Sequence, residues 1–190
     1  MLFMDLDFGV QTSFLASVRK TLTDFLTIEN YAFVEDGGSF VTADFVYRVV
    51  EDLQEKRSFQ QWAQVDFEID MLEMTGLLQK MEQSMRARSS TLKQRNYFYT
   101  LLADLGMQEE LPLDYLYLKR RLLEMQELKD QLKKEERASQ PATVKQIHTI
   151  QKVWRKTFRE ELELSADVTQ GEVQQLFNQA NSHADYGKWR

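Results

Sequence analysis

The sequence predicts a mainly α-helical protein: a helical bundle with one small β-hairpin near the N-terminus and a repeated two-helix module in the C-terminal half. Three observations carry that expectation. Only 7 Gly and 2 Pro interrupt 190 residues, too few for the turns of a β-sandwich or barrel, while Leu, Glu, Gln, Lys and Met favour helix. Apolar residues recur at three-and-four spacing over much of the chain. Thr-x-x-Gln helix starts stand at Thr91 and Thr143, where hydroxyl and amide satisfy backbone groups at the opening turn. With 43% apolar residues the chain has enough to bury a core, so wholesale disorder is excluded.

The first element is an amphipathic helix over Val10 to Leu26, with Phe14, Leu15, Val18, Leu22, Phe25 and Leu26 on one side. The pattern then changes. Tyr31 to Val34 and Ser39 to Thr42 are short β-prone runs separated by Glu35-Asp-Gly-Gly38, a loop suited to a hairpin. Thr42 or Asp44 can cap the next helix, which runs through Gln54 with Phe45, Val46, Val49, Val50 and Leu53 on its apolar side.

Residues 58–88 contain no Pro and one Gly. Trp62, Val65, Ile69 and Leu72 form one seam and Phe67, Met71, Met74, Leu78, Met81 and Met85 another, which predicts one long helix contacted from more than one side. A strand over Ala63 to Met71 competes, because Val65, Phe67, Ile69 and Met71 alternate with Asp66, Glu68 and Asp70. The continuation of helical register through the methionines favours the helix. Such a Met-rich helix is the expected central element, or the seam of a homodimer.

Ser90-Thr-Leu-Lys-Gln94 and Ala142-Thr-Val-Lys-Gln146 form an internal repeat. At the same offset Phe98, Leu101 and Leu102 match Ile150, Val153 and Trp154, so each copy launches an amphipathic helix. A break at Gly106 to Pro112 leads to a second helix from about Asp114 to Lys134. A break near Leu164 to Val168 leads to another from Thr169, where Thr169 and Glu172 form a third capping pair. The expected division is an acidic domain over 1–88, a first module over 90–137 and a second over 142–190, with Ala138-Ser-Gln-Pro-Ala142 as linker. Lys93 and Lys145 are not needed for capping and oppose the helix dipole.

The Thr-x-Lys-Gln start, the helix, the break and the Thr-x-x-Glu start resemble a small two-helix module found on phage, plasmid and conjugative-element proteins that process DNA. Pro112 and Asp114 stand where the first copy would carry its Thr-x-x-Glu start. The resemblance implies a mobile-element setting and contact with nucleic acid, and it implies no catalytic residues. Inhibitors of bacterial defence, anti-CRISPR proteins among them, share this size, acidity and cysteine-free helical make-up.

The formal charge of -6 is unevenly spread: 15 acidic against 6 basic residues over 1–85, and 15 against 18 over 86–190. This contrast points either to association with nucleic acid or an acidic protein surface, or to attraction between the halves. The candidate phosphate-binding residues are Lys93, Arg95, Lys119, Arg120, Lys145, Lys152, Lys156 and Arg159. The last four follow one helix face opposite Ile147, Ile150, Trp154 and Phe158; a solvated face is the competing reading. Tyr115 and Tyr117 stand beside the Lys119 cluster and can stack on bases or fill half-buried helix positions. Asp66, Glu68, Asp70 and Glu73 are the candidate acidic face, able to occupy a groove that normally takes nucleic acid.

Zero Cys and 2 His exclude disulfides, thiolate zinc sites and a cysteine nucleophile. Asp5-Leu-Asp7 lacks the parallel sheet that a phosphatase needs. Asp66, Asp70 and Glu73 lack the Glu-x-x-His partner of helical metal sites. No Gly-x-Ser-x-Gly, phosphate loop or His-Glu-x-x-His is present. The expected protein is non-catalytic and needs no cofactor or metal. Asp5 and Asp7 stand where a signal peptide would carry Lys or Arg, and no long uncharged apolar run exists, so a cytoplasmic location without membrane contact is expected. The expected partner is a host protein or nucleoprotein complex, with DNA or RNA as the alternative.

Overall fold

The computed structural model describes residues 3–56, 61–165 and 167–187. Among these are seven α-helices: α1 (Phe8–Ile28), α2 (Ala43–Glu55), α3 (Met71–Arg86), α4 (Leu92–Leu105), α5 (Tyr115–Ser139), α6 (Val144–Phe158) and α7 (Gln170–Gly187). The chain divides into two compact units, Met1–Gln126 and Glu127–Arg190. α4 and the start of α5 belong to the first unit, so the expected boundary near residue 89 does not separate compact bodies.

In the first unit α1 opens on Asp7, whose carboxylate accepts from the Gly9 amide at 2.7 Å. α2 opens on Thr42, which accepts from Phe45. Their apolar stripes meet in one core: Phe14, Val18, Leu22 and Leu26 from α1, and Phe45, Val46, Val49 and Leu53 from α2. Met74, Leu78, Met81 and Met85 of α3 join them. The methionines offered by the sequence as a dimer seam thus lie inside the unit's own core. A second cluster joins Phe98, Leu101 and Leu102 of α4 to Leu118, Leu122 and Met125 of α5.

Two expectations are corrected. The hairpin at 31–42 does not form. Asn30 and Tyr31 take left-handed backbone (φ 50° and 59°), and the amides of Tyr31, Ala32 and Val34 bond to Leu26, Glu29 and Tyr31 carbonyls as successive turns. The Phe40 amide donates to the Glu82 carboxylate at 3.2 Å instead of to a neighbouring strand. Phe40 meets Phe33 and Phe45 edge-on at 5.2 and 5.3 Å, and Phe33 lies tilted against Phe45 at 5.6 Å, so the loop is held by its side chains.

The long helix is also shorter than expected. Residues 57–60 lie outside the described residues; Gln61–Gln64 form a 3₁₀ turn, and α3 starts only at Met71. Between them Val65, Phe67 and Ile69 are half-buried while Asp66, Glu68 and Asp70 are exposed, as the competing period-two reading has it. Trp62 and Phe67 both pack on Phe14, at 5.2 and 5.3 Å. On one helix they would point about 140° apart, given 3.6 residues per turn, so one ring could not serve both. Asp70 then caps α3 by accepting from the Glu73 amide at 2.6 Å.

The second unit has its own small core of Ile150, Val168 and Val173, with Ile147, Leu162, Leu164, Leu176 and Phe177 packed around it. Ala142 donates to Val168 at 2.8 Å and Gln170 to Gln140 at 2.9 Å, which draws the start of α7 to the end of α5. A Cβ at Gly171 would sit 3.1 Å from the Ala138 carbonyl oxygen, so this approach depends on glycine.

In the first unit Glu82 is 2% exposed and pairs with Arg86 at 2.9 Å, while Arg86 also pairs with Asp114. Truncation would leave that guanidinium and the Phe40 amide short of a partner. Glu82→Ala is expected to lower unfolding free energy by about 3 kcal/mol, read as a shifted urea midpoint. A loss under about 0.5 kcal/mol, the range of ordinary surface changes, would show that the pair does not hold the loop.

Candidate functional site

α6 begins on Thr143. Its hydroxyl accepts from the Gln146 amide at 3.2 Å, while the Gln146 side chain accepts from the Thr143 amide at 2.8 Å. The helix ends at Arg159, which takes left-handed backbone (φ 63°) and donates its amide to Arg155. Ile150 is fully buried and Ile147, Val153, Trp154 and Phe158 are half-buried. Trp154 stacks on Phe158 at 4.3 Å, and Phe158 on His183 of α7 at 4.6 Å, so these aromatics close the α6/α7 contact.

The other side of α6 is basic. Lys145, Lys152 and Lys156 fall within about 40° around the axis and span roughly 16 Å along it, at 3.6 residues per turn and 1.5 Å rise. Arg159 follows at the helix end. All four are exposed, and among the described residues none of their side chains has a hydrogen bond or ion pair. Arg155 on the flank pairs with Glu161 at 2.8 Å. The stripe is therefore a row of uncompensated cations on a helix whose opposite side is fixed by packing.

The other predicted cations differ. Lys93 is exposed in the first turn of α4, in the other unit. Arg95 donates to the Ser90 carbonyl at 2.7 Å and so closes its own helix start. Arg120 donates to Glu124 at 2.6 Å and to the Val34 carbonyl at 2.8 Å. Arg121 bridges Glu109 and Glu124. Only half-buried Lys119 is left of that cluster, whose arginines serve the fold. Tyr115 and Tyr117 pack against the core.

The acidic residues do not share a helix face. Asp66, Glu68 and Asp70 project from the extended segment, and Glu73 lies in the first turn of α3. Glu68 alone borders a cavity, about 250 Å³ in volume, which sequence reasoning missed. The period-two alternation was its one sequence signal, since it turns Phe67 and Ile69 inward. No cluster of three or more His, Asp or Glu able to hold a metal occurs among the described residues. No described helix is long and apolar enough to cross a membrane. Comparison with protein-family models, curated proteins and solved structures finds no match for the chain.

Electrostatics separates the engaged groups. Burial pushes the Glu124 carboxyl up, but the hydrogen bonds and charges of Arg120 and Arg121 together outweigh it and hold the group below its ordinary value. For Arg121, burial acts downward and the two glutamates raise the guanidinium further. Because the folded-state value of Glu124 is depressed, its stabilisation is present above the unfolded value of about 4.3 and is lost as pH falls through the folded value. Glu124 is partly exposed, so the contribution stays under about 1 kcal/mol. Glu124→Gln should lower stability at pH 7 and lose less than the parent between pH 5 and pH 3, values that bracket the ordinary carboxylate range. Parallel urea curves for the two proteins at both pH values would contradict this.

Proposed function

We propose that the chain is a non-catalytic binding protein whose second unit contacts the phosphate backbone of a nucleic acid through the exposed face of α6. The observation that supports this most is the set Lys145, Lys152, Lys156 and Arg159, aligned, exposed and without an acidic partner among the described residues. Phosphates carry dense negative charge, and each contact releases condensed counterions. A rigid helix presents the cations without ordering cost to its backbone. The half-buried aromatics on the other side of α6 bind the unit together, so the contact reads charge and spacing rather than base identity.

The experiment is a mobility shift with labelled duplex and single-stranded DNA and RNA. Four phosphate contacts give a log–log salt slope near -3.6 on duplex, which is roughly a 100-fold loss of affinity between about 50 and 200 mM salt. Changing Lys145, Lys152, Lys156 and Arg159 to Glu should abolish binding while Lys93→Glu, in the other unit, leaves most of it. Retained binding in the quadruple variant, or no binding by the parent at low salt, would overturn the reading.

A second reading rests on the first unit. Residues 1–126 hold 20 acidic and 13 basic residues, and Asp66, Glu68 and Asp70 project together from one extended segment. Such an edge fits the basic groove of a host nucleic-acid-handling protein, as an inhibitor of bacterial defence encoded by a phage or mobile element would use it. A photo-crosslinking residue at position 68 should trap a partner through a Lys- and Arg-rich surface. Adducts formed equally by a crosslinker on the far side of α1 would argue against it.

A further inference from the structure

The cavity beside Glu68 lies in the first unit and plays no part in the phosphate-binding reading. Elements distant in sequence build its walls: Phe14 from α1, Val50 and Leu53 from α2, Trp62 from the 3₁₀ turn, Phe67 from the extended segment and Met74 from α3. Its volume of about 250 Å³ is that of roughly eight waters at about 30 Å³ each. Its lining is more apolar than polar. The Trp62 indole N–H is already committed to the Ser17 hydroxyl at 3.0 Å, so Trp62 offers the cavity its ring alone.

Ile69 adds to the apolar wall, Gln54 and Glu68 are the polar side chains of the lining, and among the described residues it holds no Lys, Arg or His. Glu68 is exposed and, among the described residues, its carboxylate has no hydrogen bond or ion pair. Phe14 meets Trp62 and Phe67 nearly at right angles, 88° and 89°. Edge-to-face rings present electron-rich faces as well as edges, and such faces attract a cation. Among the described residues the lining therefore combines a mainly apolar, ring-rich interior with one negative charge at its border and no positive charge.

From this combination we infer that the cavity binds a small hydrophobic amine, a molecule whose single aromatic or branched aliphatic body fills the ring-lined interior while its protonated nitrogen pairs with Glu68. A carboxylate of the same shape meets like charge at Glu68 and finds no compensating cation among the described residues of the lining. A neutral alcohol of the same shape gains the apolar contact and loses the ion pair. Met74, with its flexible thioether, lets the back wall adapt to bodies of slightly different outline.

The test uses the full chain with Trp154→Phe and Trp189→Phe, so that Trp62 is the only tryptophan. Three probes of matched shape are titrated against its fluorescence: 2-phenylethylamine, 2-phenylethanol and 3-phenylpropionate. The expected result is a saturable change with the amine and at least tenfold weaker binding of the acid, about 1.4 kcal/mol, with the alcohol between them. Glu68→Gln, at an exposed position, should bring the three probes together. Val50→Phe should fill the cavity and abolish the change while the far-ultraviolet helix signal persists. No saturable change with the amine up to about 10 mM, where a ligand of millimolar Kd saturates, would overturn the inference. So would equal binding of acid and amine, or undiminished binding in the filled variant.

Discussion

Within the first unit a buried charge network fixes what the rest of that unit can be. Glu82 and Arg86 lie one turn apart on α3, and Arg86 also reaches Asp114 and the carbonyls of Glu35 and Gly38. Removing charges from water costs several kcal/mol for each ion unless every lone pair and proton is satisfied. Here they are met from several directions. Ser39 and the Phe40 amide donate to Glu82, and the amides of Leu116 and Tyr117 donate to Asp114. Asp114 thus neutralises a guanidinium and caps α5 at once, with its charge at the favourable end of the helix dipole. One cluster locates the 35–40 loop, the end of α3 and the start of α5.

That network also explains what sequence could and could not reveal. α1, α2 and the starts of α4 and α6 were legible because their determinants are local: an apolar stripe at helical spacing and a capping residue beside it. The loop at 30–42 was not. Its β-prone letters, Tyr31, Phe33, Val34, Phe40 and Val41, serve burial and ring stacking, and its key acceptor is 42 residues away. At 61–71 two periodicities shared the same letters. Extended backbone prevailed because Phe14 needs both Trp62 and Phe67 against it, a condition set by a helix some 50 residues earlier in the chain.

The candidate sites divide in the same way. The α6 stripe was legible because one helix writes both its packed side and its charged side into consecutive turns. The Lys119 to Arg121 cluster looked equally basic, yet Arg120 spends its charge on Glu124 and on a carbonyl 86 residues distant. A count of cations cannot separate these cases; an account of where each one's hydrogen bonds go can. The cavity beside Glu68 was the least legible, since its walls come from five segments and only the alternation at 65–70 hinted at an inner and an outer face.

The repeated Thr-x-Lys-Gln start opens α4 and α6 in the same way. Thr91 and Gln94, like Thr143 and Gln146, bond reciprocally, which explains two letters of the repeat by helix-start chemistry alone. The two letters between them are unexplained by packing: Leu92 and Val144 are strongly exposed, as are Lys93 and Lys145. A lysine there sits at the positive end of the dipole, a cost of a few tenths of a kcal/mol in the free protein. The same position becomes favourable when an anion is bound, because the lysine and the dipole then attract the same charge. On the phosphate-binding reading, Lys145 begins a stripe that continues through Lys152 and Lys156, so its cost is recovered on binding. Lys93 has no such continuation on α4, where exposed Thr100 and Asp104 stand at the offsets that Lys152 and Lys156 hold from Lys145. Like capping boxes can therefore lead into faces of different character, and on the phosphate-binding reading the residues after the start decide which face would meet a polyanion.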